Sequence, residues 1–157
     1  MFGDRIEQTM VDVSKKPIVD REASSVGEIA LQPSTVEAIK KGEIEKGDPF
    51  SVARIAAILA AKNTSSIIPL CHNVPLTNIE IDFRLLDTGV RVRSVVKASW
   101  KTGVEMEALV ATTVALLTVW DMVKQYEKDR EGQYPETKIM EVKVEQKTKG
   151  TPDEQYV

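Results

Sequence analysis

Cysteine and histidine are almost absent from this chain of 157 residues, in which Cys71 and His72 are the single copies of each. One cysteine cannot form a disulfide bond within the chain. One cysteine and one histidine cannot build the usual four-ligand zinc site within one subunit. These two scarcities exclude a disulfide scaffold and a zinc-finger-like domain, and no metal site is predicted from the residues.

Aromatic residues and excess positive charge are also scarce. Aromatics make up 5% of the chain, and 21 Lys and Arg against 24 Asp and Glu leave a net charge of −3. A base-stacking platform and a basic footprint, which are typical of nucleic-acid-binding proteins, are therefore missing. A local basic pocket for a small anion is still compatible with this charge.

Long apolar runs are missing as well. Residues 108–120 contain no Asp, Glu, Lys or Arg, but this stretch is too short to cross a bilayer and predicts a buried core helix. The N-terminus has no charged-then-apolar signal pattern, so we expect a cytoplasmic location. The length and a 42% apolar content predict a single domain over residues 1–157, loosely ordered at about 1–9 and 150–157.

Helical patterns dominate the middle of the first half. Pro33–Lys40 is predicted to be a short helix that ends at Gly42, with Ser34 and Glu37 forming a capping box. A second helix over Phe50–Lys62 is predicted from its apolar spacing. Asp48 is its expected N-cap and Pro49 its first residue.

Strand patterns surround these helices. Alternation predicts strands at Val26–Leu31, at residues 79–84 and at Val90–Trp100, with a hairpin turn at Asp87–Gly89. Residues 67–75 are predicted to form an apolar loop. One long helix is predicted from Lys101 to Lys124, and Lys138–Glu145 is predicted to be the last strand. The order predicts an α+β fold, an antiparallel sheet with helices packed on one face.

The long helix has charges at both ends of its uncharged middle. Glu107 and Asp121 are roughly 21 Å apart along the axis at 1.5 Å per residue. One compact site cannot easily use both ends. The substrate is long, or the ends serve two sites, or a second subunit completes each site. The third alternative agrees best with a helix that is apolar on every side, because such a helix must be packed against other elements on every side.

Several charged residues have both a chemical and a structural interpretation. Asp121 and Lys124 share a helix face and could exchange protons, although spacing alone favours a surface ion pair. Lys46 precedes a helix N-terminus that would suit a phosphate, or it is simply solvated. Lys62 could serve a site or only the helix C-terminus.

The residues around Cys71 and Glu107 are similarly ambiguous. His72 could orient a substrate or donate to a phosphate, or pack in its loop with a backbone partner. A Cys71–His72 dyad is disfavoured because adjacent side chains of an extended chain point to opposite faces. Glu105 and Glu107 could compensate the helix dipole, yet the buried helix beyond them suggests that at least one faces a cavity.

Six segments together resemble the cyclic pyranopterin monophosphate synthase family, the C protein of molybdenum-cofactor biosynthesis, between about Met10 and Asp129. The resemblance implies a ferredoxin-like α+β fold, a hexamer built as a trimer of dimers, and active sites at subunit interfaces. It also implies conversion of 3′,8-cyclo-7,8-dihydroguanosine 5′-triphosphate into cyclic pyranopterin monophosphate with release of pyrophosphate. The segments are Met10–Ser14, Lys46–Asp48, Ala53–Ala56, Ile68–His72, Lys101–Leu109 and Asp121–Lys124.

Site residues follow from the same resemblance. Asp121 and Lys124 match the catalytic acid–base pair. The C-terminus departs from the family's Gly- and Ser-rich lysine loop, so Lys147 or, alternatively, Lys149 is expected to replace its lysine. No cofactor is implied, although a magnesium ion could accompany the triphosphate. A regulatory binding module and a purely structural oligomerisation domain are the rival interpretations. The positions that match substrate-contacting residues are Leu70, Cys71, His72, Met106, Glu107, Glu105, Lys46, Lys62 and Arg21, with Lys147 added.

Overall fold

A four-stranded antiparallel sheet with helices packed against it forms the computed structural model of this chain, which describes residues 7–151. The arrangement is ferredoxin-like, so the predicted α+β fold class is confirmed. The strands lie in the order β2-β3-β1-β4, which places β1 and β3 in the centre and β2 and β4 at the edges. The elements are β1 Val19–Ala30, α1 Pro33–Lys41, α2 Pro49–Lys62, α3 Thr64–Ile67, β2 Leu76–Leu86, β3 Gly89–Trp100, α4 Glu105–Glu127 and β4 Lys138–Lys149.

The strands are longer than their sequence patterns predict. β1 begins at Val19 rather than Val26. Its inward-facing Ser25 is polar and therefore interrupts the apolar alternation that predicts a strand. The Ser25 hydroxyl donates to the Ala108 carbonyl at 2.6 Å, so its burial is compensated. β4 continues past Glu145 to Lys149 because it pairs with β1 through backbone groups at an exposed edge. The predicted hairpin turn before β3 is confirmed.

The predicted capping box of α1 is wrong. Ser34 lies inside the first turn, and the N-cap is Gln32, whose side chain does not cap the helix. The N-cap is instead bonded by a residue distant in sequence. Both carboxylate oxygens of Glu127 accept from the Gln32 backbone N–H, at 3.1 and 3.2 Å. The end of α1 is as predicted, with Gly42 in the left-handed region at φ 70°.

Helix α2 begins as predicted but buries an unexpected face. Asp48 accepts from the Phe50 N–H at 3.0 Å, and Pro49 is the first helical residue. The face that packs into the core consists of small residues, which allow close approach to α4. The larger residues that supplied the helical spacing stay outside: Val52 is 43% exposed, Ile55 62% and Leu59 53%. The buried residues of the small face are Ala53, Ala57, Ala60 and Ala61.

Helix α4 is the central helix of the core, and it begins at Glu105 and ends at Glu127 rather than running from Lys101 to Lys124 as predicted. Leu116, Val119 and Val123 are fully buried, and a chain of hydroxyls ties the helix to the sheet, with Thr112 donating to Ser94 at 2.8 Å. By length and composition alone α4 could cross a membrane, but 56% of its most apolar stretch is buried inside the fold. This burial is typical of the core helix of a soluble protein.

The predictions for the chain ends lie mostly outside the described residues. Within residues 7–151, residues 7–13 form no helix or strand. The short helix α3 was not predicted, since Thr64–Ile67 falls between the predicted second helix, which ends at Lys62, and the predicted loop over residues 67–75.

Candidate active site

Two groups of ionisable side chains lie at opposite ends of α4. We call the first the N-terminal cluster, which contains Arg21, Cys71, Glu105, Glu107 and Lys147. We call the second the C-terminal cluster, which contains Lys46, Asp121 and Lys124. The two clusters are separated by roughly 21 Å of helix, from 14 residues at 1.5 Å each.

An ion pair between α4 and β4 organises the N-terminal cluster. Lys147 Nζ lies 2.8 Å from Glu105 Oε1, and β4 holds Lys147 there because it pairs with Ala23 of β1. Burial alone would raise the pKa of Glu105, but the hydrogen bond and charge of Lys147, with Arg21 nearby, lower it overall. Glu105 is therefore an anion that the surrounding cations stabilise.

Gly103 makes room for this ion pair. A Cβ atom at position 103 would collide with the Glu105 carboxylate, which folds back over the glycine. A larger residue there would displace Glu105 from Lys147. The glycine of the Lys101–Leu109 segment thus has a local steric reason.

Glu107 is the buried carboxylate of the same helical turn. It is 3% exposed, and its Oε2 has no hydrogen-bond partner among the described residues. The Cys71 thiol lies 3.9 Å from Oε1. Burial raises the pKa of Glu107, and burial together with the Glu107 charge raises the pKa of the Cys71 thiol. Glu107 is suited to hold a proton or to accept a hydrogen bond from a ligand N–H group.

A positively charged cleft adjoins these carboxylates. It measures about 340 Å³, and its charged lining consists of four cations and one carboxylate. Arg21 uses one guanidinium nitrogen to donate to the Lys101 carbonyl at 3.3 Å, while its buried Nε has no partner among the described residues. Such a cleft matches a phosphate-bearing ligand. The charged residues are Lys16, Arg21, Glu105, Lys147 and Lys149.

The C-terminal cluster is more open. Lys124 Nζ lies 3.0 Å from Asp121 Oδ1, and Lys46 Nζ lies 3.4 Å from Oδ2 and 3.0 Å from the Asp121 carbonyl. The hydrogen bond and charge of Lys124, aided by Lys46, lower the pKa of Asp121, and Asp121 raises that of Lys124. The sequence interpretation of Asp121 and Lys124 as an ion pair holds, with a third charge that spacing could not reveal.

The remaining predicted site residues surround the N-terminal cluster or stay apart. His72 and Cys71 have different partners, since His72 Nε2 lies 2.6 Å from the Val11 carbonyl oxygen. Leu70 and Met106 are 46% and 38% exposed, and therefore accessible to a ligand or another subunit. Lys62 is exposed at the end of α2 and makes no ion pair within residues 7–151.

Metal-binding geometry is not apparent. Among residues 7–151, no group of three or more His, Cys, Asp or Glu side chains could hold a metal ion. The groups that the two clusters do bring together are ammonium and guanidinium groups with the carboxylates of Glu105, Glu107 and Asp121, which suit anion binding and proton transfer.

Comparison with known proteins decides the family. The family model described as MoaC family matches residues 10–150. The chain belongs to the MoaC family. It is 55% identical over 143 residues to a probable cyclic pyranopterin monophosphate synthase of Saccharolobus solfataricus, covering 91% of this chain and 96% of that protein. It is 50% identical over 141 residues to one of Archaeoglobus fulgidus, covering 90% of both chains.

One similar MoaC family protein carries a different name. A probable cyclic pyranopterin monophosphate synthase accessory protein of Methanothermobacter thermautotrophicus is 51% identical over 140 residues, which cover 89% of this chain and 88% of that protein. Its similarity is as high as that of several relatives named as synthases.

Sequence reasoning missed part of this MoaC family member's cationic cleft. Lys16 and Lys149 line the cleft, yet neither was predicted as a primary site residue. Lys149 pairs with Arg21 across the β1–β4 ladder, and this register could not be read from separate segments. Had the strand pairing been known, the adjacent cations Arg21 and Lys149 on neighbouring strands would have indicated an anion-binding cleft.

Proposed function

We propose that this protein is a cyclic pyranopterin monophosphate synthase that acts in molybdenum-cofactor biosynthesis. It would convert 3′,8-cyclo-7,8-dihydroguanosine 5′-triphosphate into cyclic pyranopterin monophosphate and release pyrophosphate. The observation that carries this proposal is 55% identity over nearly the whole chain to a relative with that name. The two charged clusters supply chemistry of the required kinds.

The N-terminal cluster is suited to the triphosphate. Arg21, Lys147 and Lys149 face one cleft, and positive charge there would stabilise the negative charge that develops as pyrophosphate leaves. The buried carboxyl of Glu107 would meet amino and amide groups of the heterocycle. Cys71, His72, Leu70 and Met106 would border the substrate, as would Lys62.

The C-terminal cluster is suited to proton transfer. Asp121 and Lys124 form a contact at 3.0 Å, with Lys46 on the other carboxylate oxygen. A carboxylate and an ammonium in contact can exchange protons with a substrate during ring opening and cyclic phosphate closure. Asp121 and Lys124 are therefore the proposed catalytic pair, and Lys46 would hold a phosphate oxygen or the carboxylate.

A second copy of the chain would bring the two clusters together. One helix separates them by roughly 21 Å, so a compact substrate cannot reach both within one subunit. The side chains of Val52, Ile55 and Leu59 form an exposed apolar stripe on α2. Such a stripe is typical of a surface that another subunit covers. We propose a homo-oligomer, a hexamer arranged as a trimer of dimers, with sites shared between subunits. A cytoplasmic location and a magnesium ion on the triphosphate stay predictions.

Product analysis tests the function. Purified protein incubated with the cyclised nucleotide should release pyrophosphate and form a product that oxidises to a fluorescent pterin. Asp121→Asn should lower turnover by about 10²- to 10⁴-fold, the usual contribution of a general acid or base. Asp87→Asn, an exposed aspartate in the β2–β3 turn, is the matched control and should keep wild-type turnover.

The name of the Methanothermobacter relative favours one other outcome. An accessory protein would bind the nucleotide without forming product. Binding measured by calorimetry, with no pyrophosphate from a well-folded oligomer, would overturn the synthase proposal in favour of that role. Equal turnover by Asp121→Asn and the wild type would instead overturn only the catalytic assignment.

A further inference from the structure

The connection between α4 and β4 places an aromatic side chain beside the C-terminal cluster. Tyr134 contacts Trp120 in an edge-to-face arrangement, with 5.2 Å between ring centroids and 72° between ring planes. Trp120 immediately precedes Asp121 and lies one turn before Lys124 on α4. Tyr134 lies beyond the segments on which the family resemblance depends.

Trp120 shares its helix face with Lys124 of the C-terminal cluster. Residues spaced by three or four positions are neighbours on a helix, so Trp120 and Lys124 lie side by side. Lys124 has a flexible four-carbon stem that can pack along an apolar surface while its ammonium stays in water. Trp120 is half-buried against the core and offers such a surface.

The connection that carries Tyr134 is held at its base. Glu127, at the end of α4, is fully buried and accepts from the Thr137 hydroxyl at 2.9 Å, just before β4 begins. Thr35 and the Gln32 backbone N–H donate to the same carboxylate. The segment 128–136 is therefore closed by a contact between the residues on either side of it.

A tight turn orders the same segment internally. The Asp129 carboxylate accepts from the backbone N–H groups of Glu131 and Gln133, each at 2.9 Å. Gly132 adopts a φ of 78°, which favours glycine, and donates to the Asp129 carbonyl at 3.1 Å. This turn fixes the backbone immediately before Tyr134.

Tyr134 also lies within electrostatic range of Lys124. Asp121 makes the largest contributions to the raised pKa of Lys124, and Tyr134 adds a smaller one. No hydrogen bond joins Tyr134 to Lys124 within the described residues, so the phenol is a neighbour of the ammonium rather than its direct partner.

We propose that Tyr134 is a positioning residue for the Asp121–Lys124 pair, acting through its ring against Trp120. This inference rests on the proposed function of that pair. The ring holds Trp120 in one orientation, and Trp120 in turn supports the stem of Lys124. Misplacing a reacting group by about 1 Å can lower the rate about 100-fold. A small displacement of the Lys124 ammonium should therefore lower kcat.

Two substitutions separate the ring from the hydroxyl. Tyr134→Ala removes the contact with Trp120 and should lower kcat about tenfold with little change in KM, because substrate-binding cations are untouched. Tyr134→Phe keeps the ring and should stay within about twofold of wild type. Gln133→Ala, in the same turn, is the matched control and should leave kcat unchanged.

A spectroscopic measurement does not depend on turnover. Trp100 and Trp120 are the two tryptophans of the chain, so a Trp100→Phe background isolates the emission of Trp120. Tyr134→Ala should shift that emission to longer wavelength, because water replaces the tyrosine ring at the indole. Tyr134→Phe should leave the wavelength unchanged.

The outcomes distinguish the inference from the function on which it rests. Full kcat in Tyr134→Ala, together with an inactive Asp121→Asn, overturns the positioning role and leaves the synthase proposal intact. Equal losses in Tyr134→Ala and Tyr134→Phe overturn the ring contact and assign the effect to the hydroxyl. A wild-type protein that forms no product overturns the proposed function itself.

Discussion

The two ends of α4 stabilise their charges in opposite ways. At the N-terminal end, Glu107 is 3% exposed and Glu105 is enclosed by cations from β1 and β4. At the C-terminal end, the side chain of Asp121 is 61% exposed and its partners Lys46 and Lys124 reach it from the surface. One end is a partly buried cluster built from three elements of the chain, and the other is a group of exposed side chains.

This difference is what a site shared between two subunits, as proposed above, would produce. Exposed ion pairs contribute little to stability because water screens them, so the C-terminal cluster has no structural reason to hold three charges together. A buried carboxylate without a partner is costly, so the N-terminal cluster has no structural reason to keep Glu107. Both arrangements make sense if a ligand between subunits supplies what each end lacks.

Subunit complementation tests whether the two ends of α4 belong to sites shared between subunits. Lys147→Ala, at one end, and Lys124→Ala, at the other, should each reduce turnover at least tenfold. Coassembled from a mixture in equal amounts, they should recover about a quarter of wild-type turnover, because half of random dimers are mixed and each mixed dimer has one intact site of two. The measurement is steady-state pyrophosphate release after refolding the mixture.

The control for complementation uses two changes at one end. Asp121→Asn mixed with Lys124→Ala should stay inactive, since every shared site then carries one of the two changes. If the Lys147 and Lys124 variants also failed to complement each other in a well-assembled mixture, the two clusters would not belong to sites shared between subunits.

A smaller effect tests the helix that connects the two ends. Leu116 is fully buried, whereas its neighbour Leu117 is 52% exposed. Leu116→Ala should lower the free energy of unfolding by about 2–5 kcal/mol through a cavity in the core. Leu117→Ala should change it by less than about 1 kcal/mol for the isolated subunit. Urea unfolding at low protein concentration measures both, and similar losses would show that Leu117 is covered by something beyond its own chain.

The smallest effect concerns the buried carboxylate of the N-terminal cluster. Its pKa is raised by burial, so ionised Glu107 destabilises the folded state at pH values above the folded pKa. Below the unfolded pKa the group is protonated in both states and this penalty disappears. Glu107→Gln should therefore stabilise the protein by about 1 kcal/mol at pH 8 and by much less near pH 4.

Unfolding midpoints at the two pH values check this expectation. Glu43→Gln, an exposed glutamate whose side chain makes no ion pair within residues 7–151, controls for the loss of one negative charge. A Glu107→Gln variant that is less stable than wild type at pH 8 would indicate that the carboxylate has a stabilising partner at that pH.

The sequence predicts elements best where a pattern is local. The caps Asp48 and Gly42 and the β2–β3 turn are determined by neighbours in the chain, and they appear where expected. The capping box at Ser34 fails because the helix already begins at Pro33, and the acceptor for the N–H of its N-cap Gln32 is Glu127, 95 residues away in sequence. The strand β1 is longer than predicted because the polar Ser25 is satisfied by α4.

In the candidate site, too, local contacts could be predicted and long-range contacts could not. The contact between Asp121 and Lys124 is three residues apart and could be expected from helix geometry. The ion pair between Glu105 and Lys147 depends on the edge strand β4 and its register against β1, which residue spacing does not contain. The family resemblance supplied Lys147 as a candidate, and its role in catalysis stays a prediction.

The buried carboxylate of Glu127 has a consequence for how such proteins can diverge. Glu127 joins the end of α4 to Thr137 and to the start of α1. The segment between residues 127 and 137 is therefore a loop whose two ends are held together by a hydrogen bond. Its length and sequence can change without moving either the helix or the edge strand. The surroundings of Asp121 and Lys124 can therefore vary between family members while the scaffold that carries the pair stays the same.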